Sequence, residues 1–351
     1  SELGSRGLEH WKEARARSDF ERFRPTLERI VELVRKKAEC LGVPEGGEAY
    51  DALLDEFEPG MTARGVEALF GPLRDALAPF LAEVADAPRR PSDAIHRLEI
   101  PEAAQHAFHL EVIAAIGYDL EAGRLDVSTH PFTEGLAPGD TRITTRFGDA
   151  GFADALGSTI HETGHALYEQ GLPKAEHHGQ PLAEAAGLGI HESQSRMWEN
   201  QVGRSRAFWT WALPVAKRHF GAALDGVDLD ELHGAMNLVR PGLIRVEADE
   251  VSYNLHVMLR FDLERARIRG DLAVADLPGA WNDRIRDDLG LDVPDDRRGC
   301  LQDIHWSMGS IGYFPTYTLG NLHAAQMWEA IREALPDLDA DLEAGRFGGL
   351  L

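Results

Sequence analysis

Two cysteines in 351 residues are too few for a disulfide-built scaffold, and Cys40 and Cys300 lie far apart in sequence. Both read as ordinary core thiols. No uninterrupted apolar stretch approaches the roughly 18–20 residues of a bilayer span, and the N-terminus lacks a basic-then-apolar signal pattern. We therefore expect a soluble, cytoplasmic protein without a membrane partner. Basic residues are also scarce, with Lys+Arg at 36 against Asp+Glu at 59 and a formal charge of −23. Such a field repels phosphate backbones and anionic lipid surfaces, so nucleic acid is set aside as a partner class. The acidic residues are spread along the chain and fit solvated helix faces. There is no fixed-period repeat, low-complexity segment or long Ser/Gly/Pro linker, and one domain over residues 1–351 is the simplest reading. The opening Ser1-Glu2-Leu3-Gly4-Ser5, which has no methionine, is left out of the fold reasoning.

What the chain does have is enough apolar content, 43%, to bury a large core. Most of that content is patterned for helix. Ile30, Val31, Val34, Ala38 and Leu41 follow Leu27 at helical spacing, with Gly42 as a stop. Thr62 precedes a second run from Val66 to Val84, which Pro72 and Pro79 are expected to kink or divide. Ser92 reads as an N-cap. Further helices are expected over 102–116, 153–170, 182–209, 230–238, 251–268 and 324–334. The exception runs from Leu125 to Phe147. There Pro131, Gly135, Pro138 and Gly139 punctuate short runs, and Arg142-Ile143-Thr144-Thr145-Arg146-Phe147 is β-branched and partly alternating, which predicts a small β-hairpin. The fold class is mostly α.

Within Ser158-Thr159-Ile160-His161-Glu162-Thr163-Gly164-His165, two histidines four apart project from one helix face about one turn from each other, a spacing that suits two ligands of one ion. A catalytic zinc takes three protein ligands and leaves a position for water, whose pKa it lowers towards about 7. Glu162 can accept the proton as that water attacks a scissile carbonyl and then deliver it to the leaving amine. A bare HExxH can also arise by chance. The helical setting, the close backbone approach that Gly164 permits and a second helical segment with candidate ligands favour the metal. In that segment, Gly187-Leu188-Gly189-Ile190-His191-Glu192-Ser193-Gln194-Ser195-Arg196, either Glu192 or His191 could complete the set, and spacing does not choose. His177 and His178, in a loop with Gly179 and Pro181, read as solvent-exposed. His130, His191 and His305 rank by default as hydrogen-bonded structural histidines.

Several separated motifs together resemble the M32 family of metallocarboxypeptidases, the thermostable carboxypeptidase Taq type. They are His130-Pro131-Phe132, Asp140-Thr141-Arg142-Ile143-Thr144, the HExxH from His161 to His165, His191-Glu192-Ser193, Ile244-Arg245-Val246-Glu247-Ala248-Asp249, and Gly299-Cys300-Leu301-Gln302-Asp303-Ile304-His305-Trp306. Gly312-Tyr313-Phe314-Pro315-Thr316-Tyr317 follows as in that family. The resemblance implies His161, His165 and Glu192 as zinc ligands, with cobalt or manganese as possible substitutes, and Glu162 as general base. It also implies a helical, gluzincin-like fold around a deep substrate groove, usually as a homodimer, acting on peptides with a free C-terminus and broad side-chain tolerance. In the related gluzincins a short strand beside the metal aligns extended peptides, and the hairpin near Arg142 could serve as such an edge.

A carboxypeptidase must recognise a terminal carboxylate, which a planar guanidinium binds through two parallel hydrogen bonds. Arg245 is the candidate, against a structural salt bridge to Glu247, Asp249 or Glu250. His305, Tyr313 and Tyr317 look like the residues that supply oxyanion donors in related gluzincins, Tyr317 being preferred. His130 and Gln302 are next candidates for holding substrate backbone. Family members run longer at both ends, with N-terminal helices before a segment like Leu8 to Phe23 and a helical stretch beyond Leu351. The rival readings are an oligopeptidase or dipeptidyl carboxypeptidase of the same fold, and a non-catalytic peptide-binding homologue.

Overall fold

Apolar residues at helical spacing decide most of the chain's path in the computed structural model, which describes residues 2–148 and 151–351. The helices are α1 (Glu2–Arg17), α2 (Phe20–Leu41), α3 (Ala49–Leu54), α4 (Ala63–Ala85), α5 (Glu102–Ala115), α6 (Phe152–Gly171), α7 (Lys174–His177), α8 (Leu188–Arg196), α9 (Arg206–Phe220), α10 (Leu229–Met236), α11 (Tyr253–Arg269), α12 (Leu277–Leu289), α13 (His305–Met308), α14 (Pro315–Ala334) and α15 (Leu338–Glu343). The strands are β1 (Gly123–Val127), β2 (Thr133–Ala137) and β3 (Asp140–Thr145). No described helix is long and apolar enough to cross a membrane. The chain forms two compact units, one of Ser1–Pro88 and Val239–Thr318 and the other of Arg89–Leu238 and Leu319–Leu351.

In the first unit, α2 buries Phe20, Phe23, Leu27, Ile30, Val31, Val34 and Ala38 along one stripe. Gly42 ends the helix at φ +93°, returning its N–H to the Ala38 carbonyl. Thr62 caps α4 by accepting the Gly65 N–H at 3.1 Å. Pro72 and Pro79 do not divide α4, which runs unbroken from Ala63 to Ala85. Both prolines, and Ala68 and Asp75 four residues before them, are exposed, so the carbonyls they orphan face water. Cys300 is buried as expected, but Cys40 is exposed on the outer side of α2. Helix α11 is buried nearly all round and carries His256, Arg260, Glu264 and Arg267 inside. The acid among them is compensated: Glu264 accepts from Tyr50 Oη and Trp306 Nε1, both at 2.7 Å, and from the Gly312 N–H at 3.0 Å.

In the second unit, Phe108, Phe152, Leu156, Ile160, Trp198, Phe208 and Phe220 belong to the main core. A smaller cluster of Ile113, Tyr118, Leu125, Ile143 and Ala166 seats the sheet on α6. The expected hairpin is present as β2 and β3, antiparallel, with Thr133 opposite Ile143 and Glu134 opposite Arg142. Gly139 turns it at φ +75°. A third strand, β1, pairs parallel to β3, giving the order β1-β3-β2 with β2 at an edge. Along β2 the outward Glu134 and Leu136 alternate with the half-buried Thr133, Gly135 and Ala137. Ser92, read as an N-cap, accepts the Ala94 N–H at 3.2 Å, but Asp93 stands at the cap of the 3-10 turn Ala94–Arg97 that follows.

The helix expected over 182–209 is broken into pieces. A 3-10 turn at Pro181–Ala183 precedes α8, a π-helical turn spans Met197–Val202, and Ser205 caps α9 afresh. Within this segment α8 packs closely on α6. A Cβ on Gly164 would lie 2.6 Å from both the Gln194 carbonyl oxygen and Ser195 Cα, so the two backbones touch where a side chain would stand. Gly164→Ala is accordingly expected to cost about 1–3 kcal/mol, read as a lowered denaturant midpoint with unchanged m-value. An unaltered midpoint would show that the helices part freely.

Candidate metal centre

Helix α6 places His161 and His165 on one face, and α8 brings Glu192 to them. One donor atom from each lies within 4.8 Å of the others. Glu192 Oε2 is 3.2 Å from His165 Nε2 and 3.7 Å from His161 Nε2. Ligands about 2.0–2.1 Å from one tetrahedral ion stand about 3.4 Å apart, so these separations bracket what a single cation requires. Two imidazoles and a carboxylate form a borderline-soft N/N/O set of the kind found in catalytic zinc sites.

The surrounding charges favour a cation. Burial works to raise the Glu192 pKa, but Arg196 and the two imidazoles outweigh it and hold the carboxylate well below its ordinary range. Burial works to lower the His161 pKa, while Glu192 and Glu199 overcome it and raise it. Burial prevails at His165, whose pKa is lowered. A metal ion among these three is drawn by the same carboxylates that draw a proton to His161.

Several partners of this site had no sequence signal strong enough to single them out. Glu199, in the π-helical turn, accepts from His161 Nδ1 at 2.8 Å, which leaves His161 Nε2 for a metal. Arg196 braces both acids, reaching Glu192 Oε1 at 2.7 Å and Glu199 Oε2 at 3.1 Å. Arg196 at i+4 from Glu192 is a pattern the sequence does contain. Thr133 on β2 donates to Glu162 Oε2 at 2.7 Å, and nothing local to Thr133 announces that role. Gly320 on α14 is equally silent, yet a Cβ there would fall 2.6 Å from Glu192 Cγ.

His191, the other candidate third ligand, has both ring nitrogens engaged by protein: Nδ1 lies 2.6 Å from His165 Nδ1 and Nε2 2.8 Å from Glu169 Oε1. His130 is exposed in the β1–β2 loop, its Nδ1 2.6 Å from the Pro131 carbonyl. His178 is exposed and His177 half-buried, the latter ending the short α7 instead of sitting in a loop. Thr133, Gly135, Glu169, Lys174 and His191 line part of a cavity of about 350 Å3 beside β2.

The other sequence-derived candidates gather in the first unit. Arg245 is 5% exposed and forks onto Asp303 Oδ1 through Nε and Nη2 at 3.1 and 2.9 Å, with Nη1 on Tyr253 Oη at 3.0 Å. Its salt bridge is thus to Asp303, not to Glu247, Asp249 or Glu250. Burial opposes ionisation of Asp303, but Arg260 and Arg245 reverse this and hold its carboxyl far below the usual range. The Arg245 guanidinium lies 4.9 Å from the Tyr317 ring centroid. His305 Nε2 pairs with Tyr317 Oη at 3.1 Å, and the Tyr313 ring meets Tyr317 edge-on at 5.4 Å. Gln302 spends its amide internally, accepting from the Arg245 N–H at 2.9 Å and Arg260 Nη2 at 2.7 Å and donating to the Leu243 carbonyl at 3.0 Å.

Comparison with known proteins agrees with the motifs. The chain matches the family model for carboxypeptidase Taq (M32) metallopeptidase over residues 1–351. It is 49% identical over 344 residues to thermostable carboxypeptidase 1 of Thermus thermophilus, taking in 96% of this chain and 67% of that one. Carboxypeptidase 1 of Bacillus subtilis is 40% identical over 345 residues, 98% of this chain and 68% of its own. The crystal structure of an M32 carboxypeptidase from Deinococcus radiodurans R1 aligns with a TM-score of 0.95 at 43% identity, over 100% of this chain and 70% of that chain.

Because Glu199 orients His161 without touching a metal itself, Glu199→Ala is expected to weaken metal binding by about 10–100-fold in a chelator competition. Affinity within twofold of the parent would remove Glu199 from the site's supporting structure.

Proposed function

Since the chain belongs to the carboxypeptidase Taq (M32) family of metallopeptidases, we propose that it is a zinc carboxypeptidase of broad side-chain tolerance that hydrolyses the last peptide bond of unblocked peptides. The observation that carries this reading is the convergence of His161, His165 and Glu192, with Glu162 on the same helix and its carboxylate held by Thr133 at 2.7 Å. Zinc, when bound by those three residues, acidifies a water and polarises the scissile carbonyl. Glu162 takes the proton from the attacking water and returns it to the leaving amine. The Thr133 hydroxyl holds one Glu162 oxygen, and the other is assigned the proton transfer. The edge of β2 offers an extended peptide a row of backbone groups, and the cavity beside it gives room for side chains.

Arg245 is assigned to the substrate's terminal carboxylate. Asp303 and Tyr253 take three of its hydrogen bonds, and two of its five N–H groups remain for a substrate carboxylate. Tyr317 is assigned as the donor for the developing oxyanion, with His305 the next candidate, its Nε2 paired to the Tyr317 hydroxyl. Tyr313 packs beside them and contributes to the substrate wall.

Removing the metal with a chelator is expected to abolish hydrolysis, and zinc add-back to restore it. Glu162→Gln should lower kcat by about 10²–10⁴-fold while metal content stays at one ion per chain. Hydrolysis untouched by that substitution would overturn the general-base assignment. A second assay separates exopeptidase from endopeptidase action. A peptide with an amidated C-terminus is expected to be cleaved at least about tenfold more slowly than its free-acid form, for want of the Arg245 contact. Equal rates would establish an oligopeptidase instead.

A further inference from the structure

We propose that His191 is a positioning residue for the metal ligand His165, acting in a hydrogen-bonded chain from His165 through His191 to Glu169 and Lys174. The inference rests on the reading of His161, His165 and Glu192 as the ligand set.

The argument is one of proton placement. His165 Nδ1 and His191 Nδ1 are 2.6 Å apart, which permits one proton between them, so one nitrogen donates and the other accepts. His165 Nε2 faces Glu192 Oε2 at 3.2 Å, among the converging donor atoms. A ring nitrogen that ligates a cation carries no proton, so the neutral His165 holds its proton on Nδ1 and is the donor. His191 Nδ1 is then the acceptor, and the His191 proton resides on Nε2. That nitrogen lies 2.8 Å from Glu169 Oε1, and an ionised carboxylate only accepts. The other Glu169 oxygen is paired with the Lys174 ammonium.

Each link thus dictates the next, and the chain closes in one direction only. The reverse placement would need the proton of a neutral His165 on its ligating Nε2, and would set a neutral His191 lone pair to lone pair against the carboxylate. Tyr168 meets the His191 ring edge-on with centroids 5.1 Å apart and limits its rotation. Glu199 does for His161 in one step what His191 and Glu169 do for His165 in two. The far end of the chain abuts β2, because a Cβ added to Gly135 would overlap both Glu169 Oε2 and Lys174 Nζ. His191 therefore serves the site without ligating, and Glu169 and Lys174 hold it from behind.

The test measures dissociation constants for Zn2+ and Co2+ by chelator competition. It uses His191→Phe, His191→Leu, His191→Gln, Glu169→Gln and His165→Ala, with Co2+ absorption spectra and the Tm of the metal-free proteins alongside. His191→Phe keeps a flat ring but has no acceptor. It is expected to bind metal about 10–100-fold more weakly, with an altered Co2+ spectrum and a metal-free Tm close to the parent's. His191→Gln and Glu169→Gln, which retain an acceptor at the right link, should lose less. A purely structural role predicts the opposite pattern, with Tm falling and metal affinity held.

Affinities and Co2+ spectra of His191→Phe equal to the parent's would overturn the proposal. If His191→Phe does not fold, parental affinity and Co2+ spectra in His191→Leu, a second variant without an acceptor, would do so. His165→Ala separates the two levels of inference. If it too binds metal as the parent does, the ligand assignment falls and the relay with it. If it alone loses metal, only the relay is overturned.

Discussion

Everything in the metal centre depends on two helices being able to touch backbone to backbone. Gly164, inside the HExxH turn of α6, is where α8 comes closest, at a separation that a methyl group would forbid. The approach carries Glu192 to within 3.2 Å of His165 Nε2. Gly320 makes the same allowance from α14, against the Glu192 side chain. Glycine in a helix interior costs about 1 kcal/mol in propensity, and here that cost sets the width of the ligand triangle.

Close packing alone would bury charges at a prohibitive cost, and each unit of the fold meets it in the same manner. In the second unit, Glu192 and Glu199 share Arg196, and each also meets an imidazole. In the first, Asp303 is shared by Arg245 and Arg260, and the Gln302 amide spans both arginines. A buried acid with two such partners has its lone pairs filled and its desolvation offset, so its side chain is held in place. Such networks pre-set the direction of a functional group before substrate arrives, which is the condition for electrostatic catalysis without reorganisation.

The sequence was legible where one residue's neighbours along the chain are also its neighbours in space. HExxH is such a case, because His161 and His165 are one helical turn apart whatever else the chain does. The α2 stripe from Leu27 is another, and it is buried as read as far as Ala38, although Leu41, read as its last member, is exposed. The sequence misled where a periodic pattern ran across separate elements. The segment over 182–209 was read as helix throughout, but it folds as a 3-10 turn, α8, a π-helical turn and an α9 capped afresh by Ser205. Of the two outcomes expected at Pro72 and Pro79, division of α4 does not occur, and their exposed positions let water satisfy what they disrupt.

By itself, then, the sequence determined the fold class, the placing of His161 and His165 on one face of α6 with Glu162 between them in the chain, and the family, since six ordered motifs amount to a long pattern match. Spacing did not decide between His191 and Glu192. Only tertiary structure turned the Glu192 carboxylate towards the imidazoles and tied both His191 nitrogens to protein. Tertiary structure likewise decided that Glu199, Thr133 and Glu169 belong to the site, since they reach it from 38, 29 and 22 residues away from their partners. Local periodicity records which face a residue occupies. Which groups meet across such separations is set by helix packing and loop closure, and a linear pattern carries no record of those.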